Sequence, residues 1–360
     1  MNILKKNKHY ILDCTLRDGS YAINFKFNRN HTYSISRFLD NSGIKFIEVG
    51  HGVGLGASEN GYGKAAEKDK TYLKYARKAV RNNFVGTFLI PGIATLDDLN
   101  MAINEGIDFI RIGVDIIDYK KSAEYIKVSK KNKIFTCVNF MKSYASPISK
   151  YIEATKFIEN LGADIVYIVD SAGAMMEDEL LKFIEAIKKY TKIDYGFHGH
   201  NNLGLVHSNS LLALTNGARI IDTSLNGLGR SSGNAVTQIM LMFMAKLKID
   251  NSYNIIDFIN ESEKIFEQNK IKYTNKIYSP LDSIAGFAKF HSSYIPKILK
   301  NSHSFQIDPK VLILEYAKTN KIKIRQDELD KISKKIKNSK LYNKYKFTKN
   351  KLNIYYGEEE

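Results

Sequence analysis

The sequence predicts an α/β chain, a (β/α)8 TIM barrel followed by a small helical C-terminal domain. Two observations carry that expectation. Eight short apolar or β-branched runs recur at fairly regular spacing, and amphipathic helical stretches stand between them. Strands alternating with helices require parallel pairing with crossover connections. Eight such units in about 250 residues match the count and size of a barrel. A doubly wound open sheet shares the alternation, because sequence does not reveal closure.

The eight runs are Tyr10–Leu16, Phe46–Val49, Val85–Ile90, Phe109–Val114, Ile134–Phe140, Ile165–Val169, Tyr195–His200 and Ile220–Ser224. Between them, Ile148–Asn160, Glu177–Tyr190 and Val206–Asn216 place apolar residues at helical spacing. After about residue 250 the pattern is helical only, with helices expected at Ile255–Glu267, Ser283–Leu299, Lys310–Lys318 and Asp327–Ile336. Asp308 and Pro309 give the third of these an N-cap and a first-turn proline. The expected division is a catalytic barrel over 8–250, a helical domain over 251–340, and a Lys- and Tyr-rich tail over 341–360 that is loosely held.

An apolar fraction of 44% over 360 residues suits a chain with a sizeable core. The net charge of +16 comes from Lys spread along the whole sequence. It reads as a compositional habit rather than a basic patch, so no nucleic-acid partner is expected. Cys14 and Cys137 fall in apolar runs and read as buried reduced thiols. The first ten residues contain no apolar signal region, and the longest apolar run, Ile239–Ala245, is far below the roughly 20 residues that span a bilayer. A soluble, cytoplasmic protein with no membrane contact is the expectation.

In a barrel, catalytic groups gather at the C-terminal ends of the strands, and here polar and glycine residues pile up at nearly every run's end. The sharpest signal is His198-Gly199-His200, because residues two apart on a strand face the same way. Two imidazoles so placed suit a divalent metal, and Asp18 at the end of the first run offers a third ligand of the two-histidine, one-carboxylate type. An isolated pair of this spacing reads equally as two hydrogen-bonded histidines; Asp18 on the same rim tips the reading to a metal. Arg17 then has a role, since a guanidinium holds a carboxylate or an enolate oxygen without taking part in proton transfer. A salt bridge below the rim is its structural alternative. Ser171 could hold a substrate carboxylate or be only a turn residue. Gly50–Gly63 lacks the Lys-Ser/Thr ending of a P-loop and reads as a flexible flap. Gly227–Gly233, with Arg230, runs toward a helix start that suits an anion, although turn chemistry explains its glycines as well. Lys142, ending the fifth run, keeps a Schiff-base aldolase open.

The segments Asp13–Gly19, Ile47–Gly52, Asp170–Gly173 and Gly196–Leu203 together resemble the DRE-TIM metallolyases, the HMGL-like superfamily of hydroxymethylglutaryl-CoA lyase and isopropylmalate synthase. Within it, His51–Gly56, Leu89–Ile93 and Gly286–Ser293 look most like the 4-hydroxy-2-oxovalerate aldolases. The resemblance implies a divalent ion, Mn2+ or similar, held by Asp18, His198 and His200. It implies class II aldol cleavage of a 4-hydroxy-2-oxo acid to pyruvate and an aldehyde through a metal-bound enolate, with Arg17 stabilising the enolate. It also implies small-molecule 2-oxo acid and aldehyde substrates, a homo-oligomer, and an acylating aldehyde dehydrogenase as partner. One departure stands out. Where those aldolases usually carry a histidine base this chain has Tyr21, and where they usually carry a tyrosine it has His291. The expectation is that His291 serves as the base and Tyr21 positions substrate, with Ser171 and Arg230 binding substrate beside Arg17. A Claisen-type acyl-CoA/2-oxo acid synthase on the same metal site, or a catalytically retired partner-binding barrel, are the alternatives.

Overall fold

Period-two alternation divides each strand's apolar residues between two faces, and both faces are buried here. The computed structural model describes residues 3–5, 8–273, 279–320, 323–340 and 342. In it the strands β1 (Tyr10–Leu16), β2 (Phe46–Val49), β3 (Phe84–Leu89), β4 (Phe109–Asp115), β5 (Phe135–Met141), β6 (Ile165–Asp170), β7 (Asp194–Gly199) and β8 (Ile220–Thr223) pair in parallel in that order. β8 pairs back onto β1, from Tyr10 opposite Ile220 to Asp13 opposite Thr223, and closes the barrel. The open-sheet alternative is thereby excluded.

Tyr10, Leu12 and Cys14 of β1 point inward and join Phe46, Phe109, Cys137 and Tyr167 in the barrel's interior cluster. Ile11, Ile47, Ile110, Val138 and Ile221 point outward into the larger cluster beneath the helices. Those helices are α1 (Arg29–Asn41), α2 (Asp69–Ala79), α3 (Leu96–Asn104), α4 (Ala123–Lys131), α5 (Ile148–Asn160), α6 (Glu177–Tyr190), α7 (Val206–Thr215) and α8 (Thr237–Lys246). Inside the barrel, large rings sit against glycines on the next strand. A Cβ at Gly113 would lie 2.2 Å from the Phe88 ring, so only glycine admits that packing. Both cysteines are buried free thiols, as expected from the sequence.

One buried carboxylate belongs to the scaffold. Asp13 accepts hydrogen bonds from the Thr15 N–H (2.9 Å) and the Thr237 hydroxyl (2.8 Å), tying β1 to α8. Burial raises its carboxyl to about 6 despite those donors. An aspartate in an unfolded chain titrates near 3.9. Between about pH 4 and 6 the folded chain therefore keeps a proton that the unfolded chain has lost, and stability falls as pH rises through that window. The stability of the native protein relative to Asp13→Asn is expected to drop by on the order of 2–3 kcal/mol from pH 4 to pH 7. Urea midpoints across that range check it, and a flat difference would refute it.

The remaining helices are α9 (Ile255–Gln268), α10 (Pro280–Phe287), α11 (Ile295–Phe305), α12 (Pro309–Ala317) and α13 (Gln326–Lys337). α9 packs onto the barrel layer through Phe258 and Phe266. The last four build their own cluster around Phe290, Ile298, Leu312, Tyr316 and Leu329. Asp308 caps α12 by accepting from the Lys310 N–H (2.8 Å), with Pro309 in its first turn.

The single helix expected over Ser283–Leu299 is corrected to two. α10 stops at Phe287, Lys289 takes a left-handed conformation (φ 50°), and a short 3-10 turn over Ser292–Tyr294 leads into α11 at Ile295. Lys289 pairs with Glu179 of α6, which fixes the break. Helical periodicity is blind to such a turn because Phe290 and His291 are buried on both readings. The tail expectation falls on residues 341 and 343–360, outside the described residues. Among the described residues no helix is long and apolar enough to cross a membrane.

Candidate active site

The register of β1 against β2 shifts between Asp13 and Leu16, and the strand then turns into a short 3-10 segment at Asp18–Ile23. Irregularities of this kind re-aim side chains at strand ends. Arg17 and Asp18, adjacent in sequence, consequently both reach the mouth. Two strands away around the barrel, His198 lies within β7 and His200 just past its end, where it bridges to Asn234. Ligand atoms of Asp18, His198 and His200 come within 4.8 Å of one another, and all three residues are buried.

The donor set fits a divalent cation. His198 Nδ1 lies 2.8 Å from Asp222 Oδ2, which leaves Nε2 to face the triad and orients the ring as carboxylate–histidine pairs do in metal sites. Nδ1 of His200 is buried and has no protein partner. Burial holds the His200 imidazole down to about 3, although Asp18 pulls the other way, so the ring is neutral near pH 7. Burial would raise the Asp18 carboxyl, but Arg17 and the two histidines outweigh it and keep Asp18 well below the usual carboxylate range. A neutral imidazole at His200 and an ionised carboxylate at Asp18 suit a divalent metal, whose ligands must be deprotonated.

Asp18 accepts from Arg17 Nη1 (2.8 Å) and from Asn234 Nδ2 (2.7 Å). Arg17 Nε donates to Glu48 Oε2 (2.8 Å), and its guanidinium lies 4.7 Å from the centroid of the Phe88 ring. The same Glu48 oxygen accepts from Arg111 Nη1 (3.0 Å), while Arg111 Nη2 donates to Asp222 Oδ2. Asp18, Arg17, Glu48, Arg111, Asp222 and His198 thus form a ring of buried ion pairs and hydrogen bonds that starts and ends at the triad. A ring this dry keeps each member in one rotamer, because every alternative leaves a charge unpaired.

Arg17, Asp18, Tyr21, Ser171, His198, His200, Arg230 and His291 line one cavity, together with Phe88 and Asn139. Ser171 Oγ accepts the Lys142 N–H at 3.1 Å. Arg230 donates from Nη2 to the Tyr21 hydroxyl and from Nη1 to His291 Nε2 (3.2 Å), and stacks 4.5 Å above the Tyr21 ring. The helix break described above brings His291 to this position. Burial, then Arg230, hold its imidazole well below the ordinary value. Burial raises the Tyr21 phenol, with Arg230 opposing. Lys142 does not line the cavity. Its Nζ donates to Asp115 (2.9 Å) and Tyr294 (3.0 Å). Burial would lower its pKa, but Asp115 and Tyr294 raise it, the reverse of what a Schiff-base lysine needs.

The flap expected at Gly50–Gly63 is corrected to a tied loop. His51 Nε2 contacts Gly63 O (3.0 Å) and its ring stacks on Phe25 at 4.1 Å. Gly56 N–H donates to Asp69 (2.7 Å), and the Asn60 amide reaches Gly56 O and Ile93 O. For Gly227–Gly233, turn chemistry prevails over an anion cradle. The N–H groups of Ser232, Gly233 and Asn234 are spent on Asn202, Arg230 and Gly227.

A family model described as HMGL-like matches residues 8–265. The chain belongs to the HMGL-like family. Curated relatives of this HMGL-like chain include proteins named 4-hydroxy-2-oxovalerate aldolase. The one from Carboxydothermus hydrogenoformans is 33% identical over 317 residues, covering 88% of this chain and 94% of that relative. The one from Moorella thermoacetica is 31% identical over 318 residues, with the same coverages. Among solved structures, an N-terminal domain from Bacteroides vulgatus superposes with a TM-score of 0.69 at 25% identity, over 82% of this chain and 98% of its own. The carboxyl transferase domain of Rhizobium etli pyruvate carboxylase, at 13% identity and a TM-score of 0.73, shares the fold over 98% of this chain and 65% of its own.

Sequence reasoning did not find Glu48, Arg111, Asp222 or Asn234 as site residues. For Arg111 a signal was present: an arginine inside the apolar run Phe109–Val114 is costly to bury unless carboxylates meet it. Nothing local in the sequence pairs it with Glu48 and Asp222, which lie on β2 and β8.

Proposed function

We propose that the chain is a class II pyruvate aldolase, a carbon–carbon lyase that reversibly cleaves a 4-hydroxy-2-oxo acid to pyruvate and an aldehyde. The observation that carries this reading is the meeting of Asp18, His198 and His200 within 4.8 Å, with Arg17 hydrogen-bonded to Asp18 at 2.8 Å. Those three residues would hold a divalent cation, Mn2+ the preferred ion, which when bound would supply Lewis-acid polarisation of the 2-oxo carbonyl. Arg17 remains charged at any working pH and offers its remaining N–H groups to the oxygen on which negative charge develops. Ser171 and Asn139 border the same cavity and orient the substrate.

In the cleavage direction His291 takes the proton of the 4-hydroxyl, and the C3–C4 bond breaks. The hydroxyl oxygen becomes the aldehyde carbonyl, and the bonding pair passes to the enolate of pyruvate, which takes a proton from solvent at C3 while His291 returns its proton to solvent. Burial and Arg230 keep the His291 imidazole neutral, and its Nε2 takes the proton once it parts from Arg230 Nη1. Tyr21 stays protonated and acts as a donor that positions the hydroxyl. The same reading includes an acylating aldehyde dehydrogenase that consumes the aldehyde, a homo-oligomeric assembly and a cytoplasmic location.

Exchange of pyruvate methyl protons with deuterated water, followed by NMR, isolates enolate formation from the identity of the aldehyde. Exchange with Mn2+ and its loss on chelation are expected; no exchange under either condition would overturn the reading. For the proton transfer, His291→Ala is expected to lower aldol cleavage by about 10²–10⁴-fold, and Tyr21→Phe by less. Full activity in His291→Ala would remove that residue from the role.

A further inference from the structure

Three arginines reach the interior of this barrel, and two of them are matched by carboxylates. Arg17 meets Asp18 and Glu48; Arg111 meets Glu48 and Asp222. Arg230 forms no ion pair among the described residues. Its guanidinium lines the cavity, yet its two side-chain partners are the neutral Tyr21 hydroxyl and His291 imidazole. A guanidinium never loses its charge in proteins, so a partly buried one that faces only neutral groups is a cation awaiting an anion.

The roles proposed above for its two partners say which part of a substrate would supply that anion. Arg17 is hydrogen-bonded to Asp18, where the 2-oxo acid portion belongs. Arg230 instead bridges Tyr21 and His291, the two groups assigned to the 4-hydroxyl, so an anion upon it lies past that hydroxyl. The loop carrying Arg230 has already spent the N–H groups of Ser232, Gly233 and Asn234 on its own turn. A phosphate, with three strongly accepting oxygens, would find those three backbone N–H groups taken, with the Ser232 hydroxyl the loop's buried unpartnered donor among the described residues. One planar fork matches a carboxylate.

Resting on the pyruvate aldolase reading, the geometry points to Arg230 as the seat for a carboxylate on the aldehyde half. The substrate is then a 4-hydroxy-2-oxo acid bearing a second acidic group beyond C4, and the acceptor in the condensation direction is an aldehyde acid. A carboxylate there also draws Arg230 away from His291 Nε2 and frees that nitrogen for the proton.

The test compares pyruvate addition to succinic semialdehyde, to propanal and to glycolaldehyde phosphate in the Mn2+-loaded protein, with pyruvate methyl exchange followed alongside. The carboxylate-bearing aldehyde is expected to exceed propanal in kcat/KM by about 10–100-fold, the range of a charge-assisted contact. Arg230→Met should bring the ratio to near unity, and Arg230→Lys should restore part of it. Without turnover, calorimetry on the metal-free protein should find 2-oxoglutarate binding more tightly than 2-oxobutyrate, with the gap lost in Arg230→Met. Equal use of propanal, or a preference that survives Arg230→Met, overturns the inference. Preference for the phosphorylated aldehyde overturns the carboxylate assignment. Absence of exchange brings down the aldolase reading and this inference with it, whereas exchange without preference overturns the inference alone.

Discussion

Replacing Arg111 by methionine is expected to destabilise the fold by about 3–5 kcal/mol, the cost of leaving buried charges without their partner. Arg111 has no solvent exposure, nor has Glu48, and Asp222 has almost none. Methionine fills similar volume but leaves Glu48 with Arg17 alone and Asp222 with His198 alone. The effect should not end with stability, because Asp222 orients His198 through its Nδ1. A partial recovery is expected when Glu48→Gln and Asp222→Asn accompany Arg111→Met, since an uncharged trio no longer carries the desolvation cost. Urea unfolding of the single and triple variants checks both statements. A single variant within about 1 kcal/mol of the native protein would mean that the ring is far less tightly coupled than its geometry implies.

The second large effect is expected at the triad. Asp18→Asn preserves shape but removes the only carboxylate of the metal-binding set. Mn2+ affinity measured by calorimetry should fall by more than the 10–100-fold typical of losing an outer partner such as Asp222. The substitution also leaves Arg17 with one carboxylate where it had two. Pyruvate exchange should therefore be lost at Mn2+ concentrations that saturate the native protein. The comparison with Asp222→Asn supplies the internal control, because that variant should lose affinity within the smaller range. Equal Mn2+ affinity in native protein and Asp18→Asn would refute the triad.

The barrel was legible because its signal is local and repeated. Each strand core is an apolar run, and the strands end within about a residue of where those runs end, for example Phe84–Leu89 against the expected Val85–Ile90. Asp18, His198 and His200 could be read because the period of a strand puts residues 198 and 200 on one face, and because strand mouths converge in a closed barrel. What escaped was non-local. Glu48, Arg111 and Asp222 come from β2, β4 and β8 and meet only when the sheet closes. The break at Lys289 escaped because a left-handed lysine carries no sequence mark of the kind a glycine would give. That break matters most for function, since it turns His291 onto Arg230. The loop at Gly50–Gly63 was misread for the opposite reason: its glycines advertise freedom, while His51, Asn60 and Asp69 remove it.

The ring through Glu48, Arg111 and Asp222 also bears on how this sequence can drift. Each of the three answers to two neighbours, so one change strands at least one charge in a place that water does not reach. A lineage descending from this protein would find single replacements there closed to it, while neutral triples lie several steps away across unstable intermediates. The helical surface of the barrel can therefore wander freely in sequence, whereas its polar axis is held in place by the number of simultaneous changes needed to leave it.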